Sequence, residues 1–229
     1  MLTEALEREP LNFVDRIWWS ATAMGTHQFE HVAEMGTPSF KALALDQLGR
    51  TEEALMVATE DANNGNNPDN VLEILVRHGR FRETIEFIES RWPSLDALEA
   101  AFPNRGGLGA RTLNFLAQAY GQTGNELKFN ETMSHASDAL QAQVSGGANN
   151  WVLHTSLAHH AMLAGDYEGA LESMSKVVEM GGLPRDDFTG EYSVFAPLRG
   201  DPRFEAILDR IHEHQNEERA ELGLDPISA

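Results

Sequence analysis

Two histidine groups stand out as candidates for metal or proton chemistry. His27 and His31 stand four apart in Thr26-His27-Gln28-Phe29-Glu30-His31-Val32-Ala33-Glu34. On a helix, His27, His31 and Glu34 share one face, which is a start for zinc or iron. A catalytic ion also needs an activated water and usually a further ligand, and the chain has no His-Glu-x-x-His motif. A solvated helical face is therefore expected there, with His27, His31 and Glu34 as the metal-ligand candidates and no resident cofactor. The second group is His154, His159 and His160. Adjacent His159 and His160 diverge by about 100° on a helix and do not converge on an ion. Other chemistries lack their motifs. Acidic pairs such as Glu52-Glu53, Asp186-Asp187 and Glu217-Glu218 are adjacent rather than opposed across a cleft, so they read as solvated faces and helix starts. Asp186-Asp187 with Glu191 lacks the twelve-residue calcium-loop pattern. No Gly-rich phosphate loop with a Lys occurs, and no Gly-x-Ser-x-Gly elbow. The chain is not expected to be an enzyme.

Composition narrows the partners. The 229 residues carry 17 Lys plus Arg against 36 Asp plus Glu, a formal net charge of −19. The excess is spread along the chain, with 10 bases and 18 acids in residues 1–115 and 7 and 18 in the rest. Binding a duplex needs cations to neutralise phosphates, so nucleic acid is excluded as a partner. With no cysteine, disulfides, thiolate zinc sites and Cys nucleophiles are excluded, which suits a reducing compartment. The acidic N-terminus does not read as a secretory signal, and no run reaches the ~18 apolar residues of a membrane span. A cytoplasmic location without membrane insertion is expected.

The elements that must position these residues are helices. Leu72, Leu75 and Val76, then Phe81, Ile85 and Ile88, recur at three- and four-residue steps. So do Leu113, Leu116, Ala117 and Tyr120, and Phe204, Ile207, Leu208 and Ile211. The best strand candidate, Tyr192-Ser193-Val194-Phe195, is too short to found a sheet. Breaks rich in Gly, Asn and Pro fall at 63–68, 103–107, 145–147 and 181–184. They cut the chain into pairs of helices. A tighter turn recurs inside the pairs, at Gly49, Gly79, Gly124 and Gly165. Each copy has a Gly able to take positive φ at a helix C-terminus, a polar residue, and then a new helix. A small residue about five positions after the Gly lets the two helices approach. Trp18 and Trp19 are adjacent, and two neighbouring indoles do not both enter one narrow core. One of them is free to pack against a neighbouring helix, a partner or a twin subunit.

The turn and its spacing resemble the tetratricopeptide repeat, a helix–turn–helix unit of 34 residues. Trp151, Leu157, Ala158, Gly165, Tyr167, Ala170, Met174 and Val177 stand where that motif has its aromatic, Leu, small, Gly, aromatic, Ala and core positions. Residues 110–137 follow it through Leu113, Leu116, Ala117, Tyr120, Gly124 and Ala136. The turn glycines are 30, 45 and 41 residues apart rather than 34, so the loops are longer and some repeats degenerate. The resemblance implies an all-α, right-handed superhelix of antiparallel helix pairs forming a single domain, 1–229. Residues 1–38 are its irregular N-terminal helices and 39–180 its repeats. Residues 181–229 supply a connecting loop and a C-terminal capping helix. That last helix starts with Asp201 as N-cap and Pro202 at N1 and runs to about Leu222.

The same resemblance implies a concave groove lined by Trp151, Thr155 and His159 and, in the preceding repeat, by Arg111, Asn114 and Gln118. A guanidinium fork there suits a peptide carboxylate. Residues 195–208 are similar to the closing segment of tetratricopeptide regions in bacterial signalling proteins that carry an adenylate cyclase or a DNA-binding regulator. The function implied is a non-catalytic module that binds a protein, peptide or small ligand in a signalling assembly. Two alternatives from other classes are a metal-assisted hydrolase on a helical scaffold and a structural spacer that forms a homodimer through Trp18 or Trp19.

Overall fold

The computed structural model describes residues 13–66, 68–101, 108–182 and 189–227. The break at 103–107 and the pair Asp186 and Asp187 lie outside them. The fold is all-α: the described residues form twelve α-helices, one short 3-10 turn and no strand.

Contacts divide the chain into two compact units, 1–74 and 75–229. The first holds α1 (Phe13–Gly25), α2 (Phe29–Met35), α3 (Pro38–Gln47), α4 (Thr51–Asn63) and most of α5 (Asp69–Arg77). Its core is built from small and branched residues, among them Ala23, Met24, Val32, Ala42, Leu45, Ala54 and Leu72. The two indoles part company: Trp19 is buried and Trp18 is 70% exposed. Buried Asp61 is satisfied on both oxygens, by the Ser39 hydroxyl and the Asn66 amide, each at 2.8 Å. Hydrogen bonding of this kind is what makes a buried carboxylate tolerable.

The second unit follows with α6 (Phe81–Glu89), α7 (Leu95–Ala101), α8 (Leu108–Gln122), α9 (Glu126–Ser145), α10 (Trp151–Leu163), α11 (Tyr167–Glu179), a 3-10 turn (Ala196–Leu198) and α12 (Pro202–Glu221). Helices α8 with α9 and α10 with α11 form hairpins. Side-chain caps start the later helices. Asn125, Asn150, Asp166 and Asp201 accept from the amides of Lys128, Leu153, Gly169 and Arg203, and each removes one orphan donor. The start at Asp201-Pro202 agrees with the sequence reading.

All four recurring turns close in the same way. The amide three residues past the helix reaches back to the carbonyl five earlier: Arg50 to Leu45, Arg80 to Leu75, Asn125 to Tyr120 and Asp166 to Ala161, at 2.8–2.9 Å. The preceding glycine amide bonds the carbonyl three before it. This Schellman pairing needs a left-handed residue. Gly49, Gly79, Gly124 and Gly165 supply it at φ 74°, 66°, 76° and 76°. The small residue follows five positions later at Ala54, Thr84 and Ala170, each fully buried. After Gly124 the sizes are exchanged. Phe129 occupies that position, and Gly121 on the preceding helix makes room, since a Cβ there would lie 3.3 Å from the Phe129 ring.

Candidate functional site

The buried polar side chains of the second unit concentrate between α8 and α10. Their spacing on α8 is three and four residues, so Arg111, Asn114 and Gln118 share a face. Asn114 and Gln118 are buried, and so is His159 opposite them; His160 is partly buried. Two backbone carbonyls fix how the amides point. The Asn114 side-chain amide donates to the Ser156 carbonyl at 2.9 Å, and the Gln118 amide donates to the Tyr192 carbonyl at 3.1 Å. A carbonyl only accepts, so each NH2 is placed and each side-chain oxygen must face the other way. Those oxygens meet imidazoles: Gln118 Oε1 lies 3.0 Å from His159 Nε2, and Asn114 Oδ1 lies 3.2 Å from His160 Nδ1. His159 therefore carries its proton on Nε2 and His160 on Nδ1, both as donors.

The electrostatics hold both rings neutral. Burial, helped by Arg111 and His160, pushes the His159 imidazolium pKa down to about 3. Burial also lowers that of His160. The Arg111 guanidinium lies 5.3 Å from the Phe115 ring centre, and Phe115 meets His159 edge-on at 5.4 Å. The remaining residues of the implied groove do not join this seam. Trp151 is 45% exposed at the start of α10, and the half-buried Thr155 hydroxyl donates to the Trp151 carbonyl at 2.9 Å. His154 bonds Asn149 at 2.9 Å through Nε2, while its buried Nδ1 has no hydrogen-bond partner.

A short turn-rich arm, residues 189–195, lies over the seam. Phe195 and Leu198 anchor it in the cluster of Ala158, Met162, Met174, Phe204 and Ile207. Arg199 donates to the carbonyls of Thr189 and Gly190 and folds the arm on itself. The arm carries Tyr192 onto the Gly79 turn, where the ring also meets Phe81 edge-on at 6.1 Å. Sequence reasoning missed this arm because its residues are 74 positions from Gln118 and carry no helical period.

Two further sites were also invisible in the sequence, since they join distant positions. One is a cavity of about 250 Å³ among Ile88, Trp92, Leu95, Leu98, Leu116 and Tyr120. At its edge the Tyr120 hydroxyl donates to Glu89 at 2.7 Å, and Lys128 bridges the same carboxylate. Lys128 above all, then Tyr120, holds the Glu89 carboxyl below its usual pKa. The other joins Asp96 and Glu99 of α7 to His135 of α9, with ligand atoms within 4.8 Å of one another. Among the described residues this is the one gathering of three metal-type donors. The trio named from sequence is placed differently: His27 sits in the turn between α1 and α2 at φ 57°, its ring 5.0 Å from Phe29. His31 and Glu34 lie exposed on α2. The helix face on which the three were expected to meet is interrupted by the break between Gly25 and Phe29.

No helix among the described residues is long and apolar enough to cross a membrane. Comparison with protein-family models, with curated proteins and with solved structures finds no match.

Proposed function

We propose that this protein is a non-catalytic binding module whose α8–α10 face receives a segment of another polypeptide. Its helix pairs stack as a right-handed, tetratricopeptide-like superhelix with α12 as the cap. The four Schellman turns, and the packing of α3 on α4, α8 on α9 and α10 on α11, support that reading. The observation that carries the binding reading is the Gln118 amide. It is held from behind by His159 and aimed at a main-chain carbonyl, the group every peptide ligand presents whatever its sequence. The half-buried Arg111 on the same face suits a carboxylate of the incoming chain. A place in a bacterial signalling assembly follows from the resemblance of residues 195–208 and belongs to the same proposal.

Panning a random-peptide library on the folded protein tests this. Selected peptides should lose affinity with Arg111→Glu and keep it with the off-site control Trp18→Ala. An absence of binders, or binders indifferent to Arg111→Glu, refutes the reading. Elemental analysis of the purified chain decides against the metal-hydrolase alternative if it finds no stoichiometric metal. A strict monomer in light scattering removes the homodimer alternative.

A further inference from the structure

We infer that the seat now filled by Tyr192 is the aromatic subsite of that peptide-binding face, and that Tyr192 is a stand-in which an incoming acidic–aromatic segment replaces. The inference rests on the binding reading above and specifies its ligand. Two parts of the seat have a hold besides the occupant, the Gly79 turn and the Gln118 side chain. Gly79 forms the floor: a Cβ built there would lie 2.9 Å from Tyr192 Cε1 and Cζ, so the ring rests directly on the backbone. The φ of 66° at Gly79 belongs to the Schellman turn and does not depend on Tyr192. Phe81 presents a wall at 81° to the ring. Gln118, its oxygen engaged by His159, stays aimed when the Tyr192 carbonyl leaves. The seat therefore reads a ring and the carbonyl of the same residue, a two-point recognition that any Tyr or Phe of a peptide fulfils.

The occupant is held less firmly. Tyr192 is 44% exposed and Glu191 beside it is exposed, whereas Phe195 at 3% and Leu198 at 3% pin the other end of the arm. Peeling residues 189–194 leaves that core anchor in place and gives up bonds of the arm, the exposed ones of Arg199 to the Thr189 and Gly190 carbonyls among them, besides the Tyr192 contacts. The chemistry of the segment follows from the neighbourhood. An open groove continues from Gly79 and Phe81 past Arg80, Arg82 and Glu83 to Gln122 and Thr123, with Arg80 and Glu83 paired to each other. The exposed Arg82 of this groove suits a carboxylate of the segment. The chain's own occupant has that order, Glu191-Tyr192.

The probe is a fluorescent peptide copying residues 189–195, Thr-Gly-Glu-Tyr-Ser-Val-Phe. In the intact protein the tethered Tyr192 competes at high effective concentration, so binding is weak. Tyr192→Ala vacates the seat, and the peptide should then bind about tenfold tighter or more. Adding Gly79→Ser to Tyr192→Ala, or replacing Tyr by Ala in the peptide, should abolish the gain. Hydrogen exchange on the intact protein with saturating peptide provides a measurement that needs no variant: amides of 189–194 should lose protection while those near Phe195 and Leu198 keep theirs. Equal affinity for the intact and Tyr192→Ala proteins, or an Ala peptide as good as the Tyr peptide, overturns the inference. Library peptides that respond to Arg111→Glu and ignore Tyr192→Ala overturn it while leaving the binding reading standing.

Discussion

Acidification should weaken this protein through His159 in a way one substitution isolates. Burial holds the His159 pKa down at about 3 in the folded chain, against the ordinary 6.5. Between those values the unfolded chain binds a proton that the folded chain does not, so stability falls as the pH falls. Each pH unit below 6.5 costs up to about 1.4 kcal/mol, so at pH 5 the loss from this one group is about 2 kcal/mol. For a unit of this size that is a fall in Tm of about 4–8 °C. Carboxylates and the lowered His154 and His160 also titrate in acid, so the wild type alone does not separate them. His159→Gln does. Its amide donates to Gln118 Oε1 as the Nε2–H does, and it has no proton to gain. The assay is urea unfolding of both proteins at pH 7, 6, 5.5 and 5. The stability of the wild type relative to His159→Gln should decline by about 2 kcal/mol from pH 7 to pH 5. A difference that stays level across the range refutes the reasoning, because it means the native ring already accepts a proton.

Gly79→Ala should destabilise more than Gly124→Ala. Both pay about 1 kcal/mol for a left-handed residue, but only the Gly79 Cβ meets a neighbour, Tyr192. In a Tyr192→Ala background the two penalties should converge in denaturant melts. Asn150→Ala removes the cap on the Leu153 amide and should cost about 1 kcal/mol, seen as a Tm lower by about 2–4 °C. Lys128→Met removes the main influence holding the Glu89 carboxyl down. Carbon NMR should report a higher Glu89 pKa, with the Tyr120 hydroxyl bond leaving part of the depression in place.

What the sequence disclosed and what it withheld have one physical origin. Short-range rules set the turns: Gly49, Gly79, Gly124 and Gly165 appear where a left-handed C-cap is needed, and each has it. Asp201-Pro202 likewise starts its helix where local capping chemistry places a start. The resemblance put Arg111, Asn114 and Gln118 on one face of α8, and Asn114 and Gln118 do meet His160 and His159. Exposure was not legible, because it is decided by whatever lies on top. A polar stripe reads the same whether water or Tyr192 faces it. His27 went astray for a different reason. The four-residue step from His27 to His31 presumes one unbroken helix, and the three-residue break after Gly25, with His27 in the left-handed region, removes His27 from the face it was counted on.

A row of buried Asn114, Gln118 and His159 with half-buried His160 is an expensive way to join α8 to α10. Leucines of similar size would cost no desolvation, and fully satisfied polar groups gain back little more than they lose. What the row provides is direction. An apolar interface tolerates a small rotation of one helix against the other, whereas Gln118 keeps its bond to His159 only while its amide points at the 192 carbonyl position. Asn114 does the same for the Ser156 carbonyl on the facing helix. The Asn114 bonds set the register of the two helices, and the Gln118 bonds set the aim of one donor within that register. A donor held this firmly, beside a glycine floor that is equally fixed and beneath a ring that is half exposed, has its rigidity on the receiving side and its mobility on the ligand side. That is the arrangement that lets a binding face spend little of its affinity on ordering itself.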